Sequence, residues 1–226
     1  MPVWLPRTEV VQPHLSVVVA LLASLRRVMI LEPLVLSGDL VRLEPLHRDH
    51  HDGLVAAADD GELWRLWYTS APRPEQVRAE IERRLELQAA GTMLAFTALR
   101  QDTGRVIGMT TYLNADLVNR RLEIGFTWNA RSAQRTGTNT ESKLLLLKHA
   151  FEELGCIAVE FRTHWMNQQS RAAIERLGAK QDGILRSHRL LPDGSLRDTV
   201  VFSIIACEWP AVRNELRRRL LDGAGR

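Results

Sequence analysis

The segment Gln134-Arg-Thr-Gly-Thr-Asn-Thr-Glu141 has the residue types of an anion-binding helix start. Gly137 can adopt a positive φ or let the backbone come close to a ligand. Thr138 and Glu141 have the spacing of a capping box, which would fix where the next helix begins. The remaining free N–H groups point out of such a helix end, where the helix dipole favours an anion. A pyrophosphate suits this place, with Arg135 and Lys143 as sources of counter-charge.

Two other phosphate-binding loops do not fit this segment. A P-loop needs a glycine five residues before Gly-Lys-Ser/Thr, and a dinucleotide-binding loop needs three glycines where this segment has one. Spacing alone also allows a well-capped loop without a ligand, because helix N-termini are common and generic.

Other residues capable of chemistry form weaker patterns. His47, His50 and His51 cluster, but no carboxylate or cysteine pattern completes a metal site, so we expect no metal. A Gly-x-Ser-x-Gly nucleophile elbow is absent. Three aromatic residues close together are either core packing or one wall of a substrate pocket: Trp64, Trp67 and Tyr68.

Short strands and helices alternate from about Leu40 onward and would position these residues. Their order is β-α-α-β-β-β-α-β-α-β-β-α, which predicts a mixed α/β (α+β) domain in one piece. The predicted strands are 40–44, 94–99, 106–113, 121–128, 156–162, 184–185 and 199–205. The predicted helices are 49–58, 74–90, 140–154, 170–177 and 209–221.

The strand 121–128 is predicted to have two distinct faces, because successive side chains of a strand alternate. We expect one face to carry Leu122, Ile124, Phe126 and Trp128. The opposite face would carry Glu123, Gly125 and Thr127.

The composition is that of a globular protein of one domain or two small ones. The 226 residues are 45% hydrophobic and 25% charged, with a net charge of +3 that is too small to argue for nucleic acid. Cys156 and Cys207 both lie in apolar runs, so we expect two buried thiols, as is typical of a reducing cytoplasm. We interpret residues 1–28 as a leader helix or disordered extension of a domain covering 29–226. The apolar stretch 16–25 is too short to span a membrane.

Several stretches together resemble the GNAT superfamily of acetyltransferases. Gln134-Arg-Thr-Gly-Thr-Asn is similar to its Gln/Arg-x-x-Gly-x-Gly/Ala pyrophosphate loop, with Asn139 at the last, small position. Further stretches resemble the RimJ/RimL-like branch, in the same order and over about residues 36–221. They are Leu122-Glu-Ile-Gly-Phe-Thr-Trp128, Gly137-Thr-Asn-Thr-Glu-x-Lys143, Asn167-x-x-Ser-Arg-x-Ala-Ile-Glu-Arg-Leu-Gly178 and Arg197-Asp-Thr-Val-x-Phe-Ser203.

The resemblance implies a GNAT acyl-CoA N-acyltransferase fold, a mostly antiparallel sheet splayed open between the strands that begin at Arg121 and Cys156. It also implies acetyl-CoA as cosubstrate, with the pantetheine arm along the first of these strands and the pyrophosphate on the loop amides. The cofactor-binding residues so implied are Phe126, Thr127, Trp128, Gln134, Arg135, Thr136, Gly137, Thr138, Asn139, Thr140, Asn167 and Arg171.

Acetyl transfer to an amine needs a neutral amine and a proton for the departing sulfur. Glu123 is our candidate base, acting through a water; the alternative is an ion-paired glutamate. The resemblance implies that Asn167 contacts the pantetheine region and makes Ser170 the candidate proton donor to sulfur, because Ile174 stands where many relatives have tyrosine. Helix capping would explain Asn167 and Ser170 equally well. His164 is an alternative base.

We expect the acceptor to be a primary amine, either a protein N-terminus, as the resemblance implies, or a small amine or amino-acid derivative. Its pocket is predicted at Trp64, Trp67, Tyr68 and His164. The alternative function is a non-catalytic acyl-CoA-binding module; a nucleic-acid-associated basic protein is a third hypothesis. We expect neither nucleic acid nor membrane as a partner, and the sequence leaves a homodimer open.

Overall fold

The computed structural model describes residues 31–69 and 71–224, so the predicted extension, residues 1–28, lies outside the described residues. The strands are β1 (Leu36–Ser37), β2 (Val41–Pro45), β3 (Met93–Arg100), β4 (Val106–Asp116), β5 (Arg121–Asn129), β6 (Ala158–His164), β7 (Lys180–Leu190) and β8 (Leu196–Ile205). The α-helices are α1 (His51–Asp59), α2 (Val77–Ala89), α3 (Thr138–Lys148), α4 (Gln168–Arg176) and α5 (Trp209–Ala224).

These strands form one mixed sheet in the order β1-β2-β3-β4-β5-β6-β8-β7. All neighbours are antiparallel except β5 and β6, which run parallel. The fold class predicted from the sequence is confirmed.

Helices cover both faces of the sheet. Thr97 of β3 bonds the His50 ring just before α1, at 2.8 Å, so α1 and α2 lie on that face. The Tyr112 hydroxyl of β4 donates to the carbonyl of Leu146 in α3 at 2.6 Å, so α3 lies on the opposite face. Phe96 packs edge to face against Tyr112 in the fully buried layer beneath α3.

The predicted elements are found, with differences at their ends. A 3₁₀ turn, Arg48–His50, precedes α1, and another, Pro74–Gln76, precedes α2. The predicted helix 140–154 starts two residues earlier and continues beyond Lys148 as a π-helical turn, His149–Glu153. The last hairpin is longer than predicted: β7 pairs with β8 from Lys180 to Leu190, and the register shifts twice along the way.

The cysteines differ from the prediction of two buried thiols. Cys156 is buried, whereas Cys207 is exposed in the turn between β8 and α5. The apolar run before Cys207 ends with the strand, so the thiol itself falls outside the core.

Within the described residues, no helix is long and apolar enough to cross a membrane.

Candidate active site

The sheet opens between β5 and β6. The two strands pair over only three residues each, from Arg121 with Ala158 to Glu123 with Glu160. Beyond that point β6 remains paired with β8. β5 continues to Asn129 paired with β4 on one edge, while the edge that faces β6 is unpaired among the described residues. An unpaired strand edge is a place where an extended ligand can add its own hydrogen bonds.

A β-bulge at Phe126 shapes this free edge. Phe126 has a φ of 45°, and the register steps three residues along β5, from Gly125 to Trp128, for two along β4. The fully buried Arg84 of α2 holds the bulge: it donates to the Phe126 carbonyl at 3.1 Å and to Glu80 at 2.6 Å.

The bulge overturns the predicted faces of this strand. Leu122 and Ile124 do share a buried face, but the extra residue shifts the alternation by one. Trp128 therefore falls on the face of Glu123. Thr127 instead lies on the α3 side, where its hydroxyl is 2.8 Å from that of Thr110.

The loop before α3 presents an array of backbone donors. Arg135 and Gly137 both have a positive φ, 64° and 85°. In the part of the chain that the structure describes, the backbone N–H groups of residues 135–140 donate no hydrogen bond. Successive free N–H groups in such a conformation form a concave anion site, to which the helix dipole adds.

Most polar side chains of this loop form hydrogen bonds within the loop or to the end of β5, and these bonds fix its shape. Gln134 donates to the Asn129 carbonyl at 3.3 Å, and the Asn129 amide donates to Asn139 at 3.2 Å. Thr136 and Thr138 both donate to the carbonyl of Ala133, at 2.7 and 3.0 Å. Asn139, which departs from the family pattern, thus ties the loop to the end of β5.

The predicted capping box is wrong. Gly137 is the N-cap residue of α3 and no side chain caps it. Glu141 instead reaches 100 residues back along the chain and accepts the N–H groups of Asp39, Leu40 and Val41 at 2.9, 2.7 and 2.7 Å. The carboxylate therefore anchors the turn between β1 and β2.

Lys143 was also predicted wrongly, as a counter-charge for pyrophosphate. Its side chain is buried, and Nζ donates to Thr110 at 3.0 Å and to Thr127 at 2.6 Å. Burial lowers the pKa of this amine to about 7. Arg135 is exposed on the loop, where its charge is available to an anion.

Stability should therefore rise with pH through Lys143. Between about pH 7 and about pH 10 the unfolded chain holds a proton on this lysine that the folded chain has lost, so folding gains up to ~1.4 kcal/mol per pH unit. Below that window both states are protonated and the slope vanishes. In Lys143→Met the rise should be absent, whereas Lys148→Met, an exposed change on the same helix, should keep it. The free energy of unfolding, measured in urea at about pH 7 and about pH 9, tests this. An equal change of that free energy with pH in the wild type and both variants would contradict the prediction.

Gly137 is required by its backbone rather than by an approaching ligand. A Cβ here would contact Leu40 Cδ1 at 2.9 Å and Leu220 Cδ2 at 3.7 Å, so the atoms it meets belong to the protein itself, and φ is +85°. Gly137→Val should therefore displace the loop and raise the dissociation constant of CoA about tenfold, or ~1.4 kcal/mol. The control is Gly155→Val, which has the same strain at a φ of 66° with nothing within 4 Å. Calorimetric titration with CoA should separate the two; an equal loss in both would show only general destabilisation.

Glu123 is a buried carboxylate beside the opening. Its exposed fraction is 7%, and Asn114 donates to Oε2 at 2.9 Å while Arg162 lies 3.4 Å from the same oxygen. Burial raises the pKa of Glu123, and the amide of Asn114 and the charge of Arg162 oppose that rise. A carboxylate with a raised pKa is better matched to accepting a proton near neutral pH.

Comparison with known proteins identifies the family. The family model for the acetyltransferase (GNAT) domain matches residues 41–180. This chain belongs to the GNAT family. The resemblance seen in the sequence is confirmed.

Individual relatives agree with this assignment. A GCN5-related N-acetyltransferase from Brucella melitensis has a similar structure, with a TM-score of 0.76, 32% identity, and coverage of 84% of this chain and 86% of that one. A Bacillus subtilis (strain 168) protein named "Putative ribosomal N-acetyltransferase YdaF" is 36% identical over 106 residues. That match covers 47% of this chain and 57% of the relative, so this chain spans little more than half of the relative's length. The apo structure of RimL, a ribosomal L7/L12 alpha-N-protein acetyltransferase, has a TM-score of 0.67 at 18% identity, which supports the fold alone.

The GNAT residues expected on α4 are placed as follows. Asn167 caps the helix by accepting the N–H of Ser170 at 3.0 Å, as the capping alternative predicts. Arg171 stacks its guanidinium on the Trp165 ring at 4.2 Å. Ile174, where the resemblance implies a tyrosine, is buried in the core, and its hydrocarbon side chain has no proton to donate.

The predicted acceptor pocket is brought together only in part. Trp67 is 56% exposed, and its ring meets His164 edge to face at 5.0 Å, with Tyr68 at 6.4 Å from the same imidazole. Trp64 does not join them; the guanidinium groups of Arg65 and Arg73 flank its ring instead.

His164 has the hydrogen bonding of a neutral donor. Its Nδ1 accepts the N–H of Met166 at 3.0 Å, so in the neutral ring the proton is on Nε2. Burial, reinforced by Arg197 and opposed by Asp198, lowers the pKa of His164 and favours that neutral form. With its one lone pair already engaged, His164 is poorly suited to act as a base.

Several charged residues here were missed at the sequence level. Glu160 and Arg162 of β6 lie on the face of Glu123, and Glu160 accepts from Arg121 at 2.7 Å and from Arg162 at 2.9 Å. The alternation Glu160-x-Arg162-x-His164 was a usable signal, since it places three polar side chains on one face of a strand.

Proposed function

We propose that this GNAT protein is an acetyl-CoA-dependent N-acetyltransferase that moves acetyl directly to a primary amine. The observation that carries the proposal is the adjacency of three features: the free N–H array of residues 135–140, the unpaired edge of β5, and the buried carboxylate of Glu123. We take 29–226 as the catalytic domain.

The loop residues suit the donor. The N–H groups from Arg135 to Thr140 would hold the pyrophosphate, with Gln134 fixing the loop and Arg135 adding charge. The pantetheine arm would follow the edge formed by Phe126, Thr127 and Trp128, and Asn167 and Arg171 would border it from α4. Bound acetyl-CoA supplies the acetyl carbonyl and a thiolate leaving group.

Two residues have roles in proton transfer under this proposal. The amine nitrogen bonds to the carbonyl carbon as the carbon–sulfur bond breaks, and Glu123 accepts the amine's proton through a water. The sulfur takes a proton from Ser170 or from a water in contact with it. Ser170 is preferred because Ile174 removes the usual phenol and Ser170 lies one helical turn before it.

The acceptor in this proposal is either a protein N-terminus or a small amine. The name of the B. subtilis relative supports a ribosomal protein, which would place the reaction in the cytoplasm. Trp67, Tyr68 and His164 would form one wall of the acceptor pocket, with Trp64 outside it.

A second candidate function is a non-catalytic acyl-CoA-binding module, which the isoleucine at position 174 favours. Release of free thiol from acetyl-CoA, measured with a panel of α-amines and lysine amines, separates the two. Thiol release that depends on an amine supports the transferase. Tight CoA binding without turnover on any amine supports the module, and no CoA binding contradicts both.

A further inference from the structure

Two arginines face each other across the last hairpin, and neither has a carboxylate partner in the described part of the chain. Arg189 of β7 and Arg197 of β8 are directly opposed in the register. Among residues 31–69 and 71–224, neither has an acidic group within ion-pair distance, and Arg197 donates from Nε to the Thr199 hydroxyl at 3.1 Å. Like charges directly opposite each other in a sheet are destabilising, so this pair is costly for the protein alone.

The neighbouring arginines differ in this respect. Arg121 and Arg162 are bound to Glu160, Arg162 also contacts Glu123, and Arg186 of the same hairpin is bound to Asp198 at 2.6 Å. The local carboxylates are therefore already engaged. The surplus positive charge on this face belongs to Arg189 and Arg197.

Both arginines lie on the side of the sheet where Glu123 is. The register joins Glu123 to Glu160, His164 to Thr199, and Arg197 lies two residues beyond Thr199 on the same face. Arg197 is half-buried, and burial and Arg189 lower its pKa while Glu123 opposes that change. The charge of Arg189 in turn lowers the pKa of Glu123, so the three charged groups are close enough to interact electrostatically.

The wall beside this pair is the predicted acceptor pocket. His164 is buried, and its Nε2 has no hydrogen-bond partner within the described chain. The half-exposed indole of Trp67 stands against the imidazole. An acceptor whose amine reached Glu123 would thus have its remaining groups on the face of the sheet that carries His164 and the two arginines.

We propose that the acceptor is a primary amine with a carboxylate near it, and that Arg189 and Arg197 bind this carboxylate. The inference rests on the proposed function, in which the amine sits beside Glu123. A guanidinium pair suits a carboxylate, because its planar N–H groups bind both oxygens at once. The carboxylate can be the α-carboxylate of a free amino acid or the acidic side chain of the second residue in a peptide.

The test is binding to the CoA-saturated protein, in which no transfer can occur. The first probe pair is serine and serinamide, and the second is the C-terminally amidated peptides Ser-Glu and Ser-Gln. We expect the carboxylate member of at least one pair to bind about tenfold tighter than its neutral match by calorimetry. The pair that shows the preference identifies which carboxylate is recognised.

The preference should disappear in Arg197→Gln and in Arg189→Gln. Arg186→Gln, which removes an arginine of the same hairpin that is already paired, should retain it. Equal binding of acid and amide in both pairs, or a preference that survives both substitutions, would overturn the proposal. Acetylation of the same probes is measured separately: a carboxylate preference without acetyl transfer would refute the proposed enzyme while leaving this site in place.

Discussion

Glu141→Gln is expected to destabilise the folded protein by about 3 kcal/mol, because one carboxylate serves three backbone donors. The N–H groups of Asp39, Leu40 and Val41 all point at its two oxygens. Glutamine has a single oxygen, and its NH₂ group would face a donor. At least one of the three backbone N–H groups would then lack its acceptor, and the negative charge that strengthens all three bonds would be gone.

Urea unfolding gives this loss directly, as a shift of the midpoint at constant slope. The matched control is Glu175→Gln, the same chemical change at an exposed position of α4, which should shift stability by less than about 0.5 kcal/mol. Near-equal stability of the two variants would mean that water replaces the carboxylate without cost, contrary to this account.

Glu123→Gln is expected to lower kcat about a hundredfold or more, as loss of a general base does. Glutamine keeps the size of the side chain and can still contact Asn114, so the KM for acetyl-CoA should change by less than about twofold. The measurement is steady-state thiol release with saturating amine, with Glu175→Gln again as the control.

The pH profile makes this test specific. A carboxylate base works only when deprotonated, so wild-type turnover should rise with pH. The midpoint of that rise should lie above the ordinary pKa of a glutamate, because burial raises the pKa of Glu123. The part of the rise that belongs to the carboxylate should disappear in Glu123→Gln, whereas the rise at higher pH from deprotonation of the amine should remain. An unchanged kcat combined with lost CoA binding would instead identify Glu123 as a structural residue.

Strands, helices and their order were predictable because each depends on local periodicity. The short, largely apolar runs of β3 and β4, and the proline before α2 with the glycine after it, act within a few residues. The loop with its positive-φ glycine was predictable for the same reason, since Gly137 and the helix after it lie in one short segment.

The errors arose where contacts join distant parts of the chain. The bulge with its positive φ at Phe126 is held by Arg84, 42 residues earlier, which donates to the Phe126 carbonyl. Glu141 was predicted to cap its own helix and Lys143 to face a pyrophosphate, but their partners lie in the β1–β2 turn, β4 and β5. Local spacing contains no signal for such pairs, so the faces of β5 and the roles of these two residues could not be inferred.

The anchor formed by Glu141 also marks where the folding unit begins. The family match starts at Val41, yet two of the three N–H groups held by Glu141 belong to Asp39 and Leu40. Gly38 is placed so that any side chain would meet the carboxyl group of Glu141. A truncated chain that starts at Val41 would lack the N–H groups of Asp39 and Leu40, so the buried carboxylate of Glu141 would lose most of its hydrogen bonds. The N-terminal limit for a stable fragment therefore lies before Gly38, at or ahead of β1.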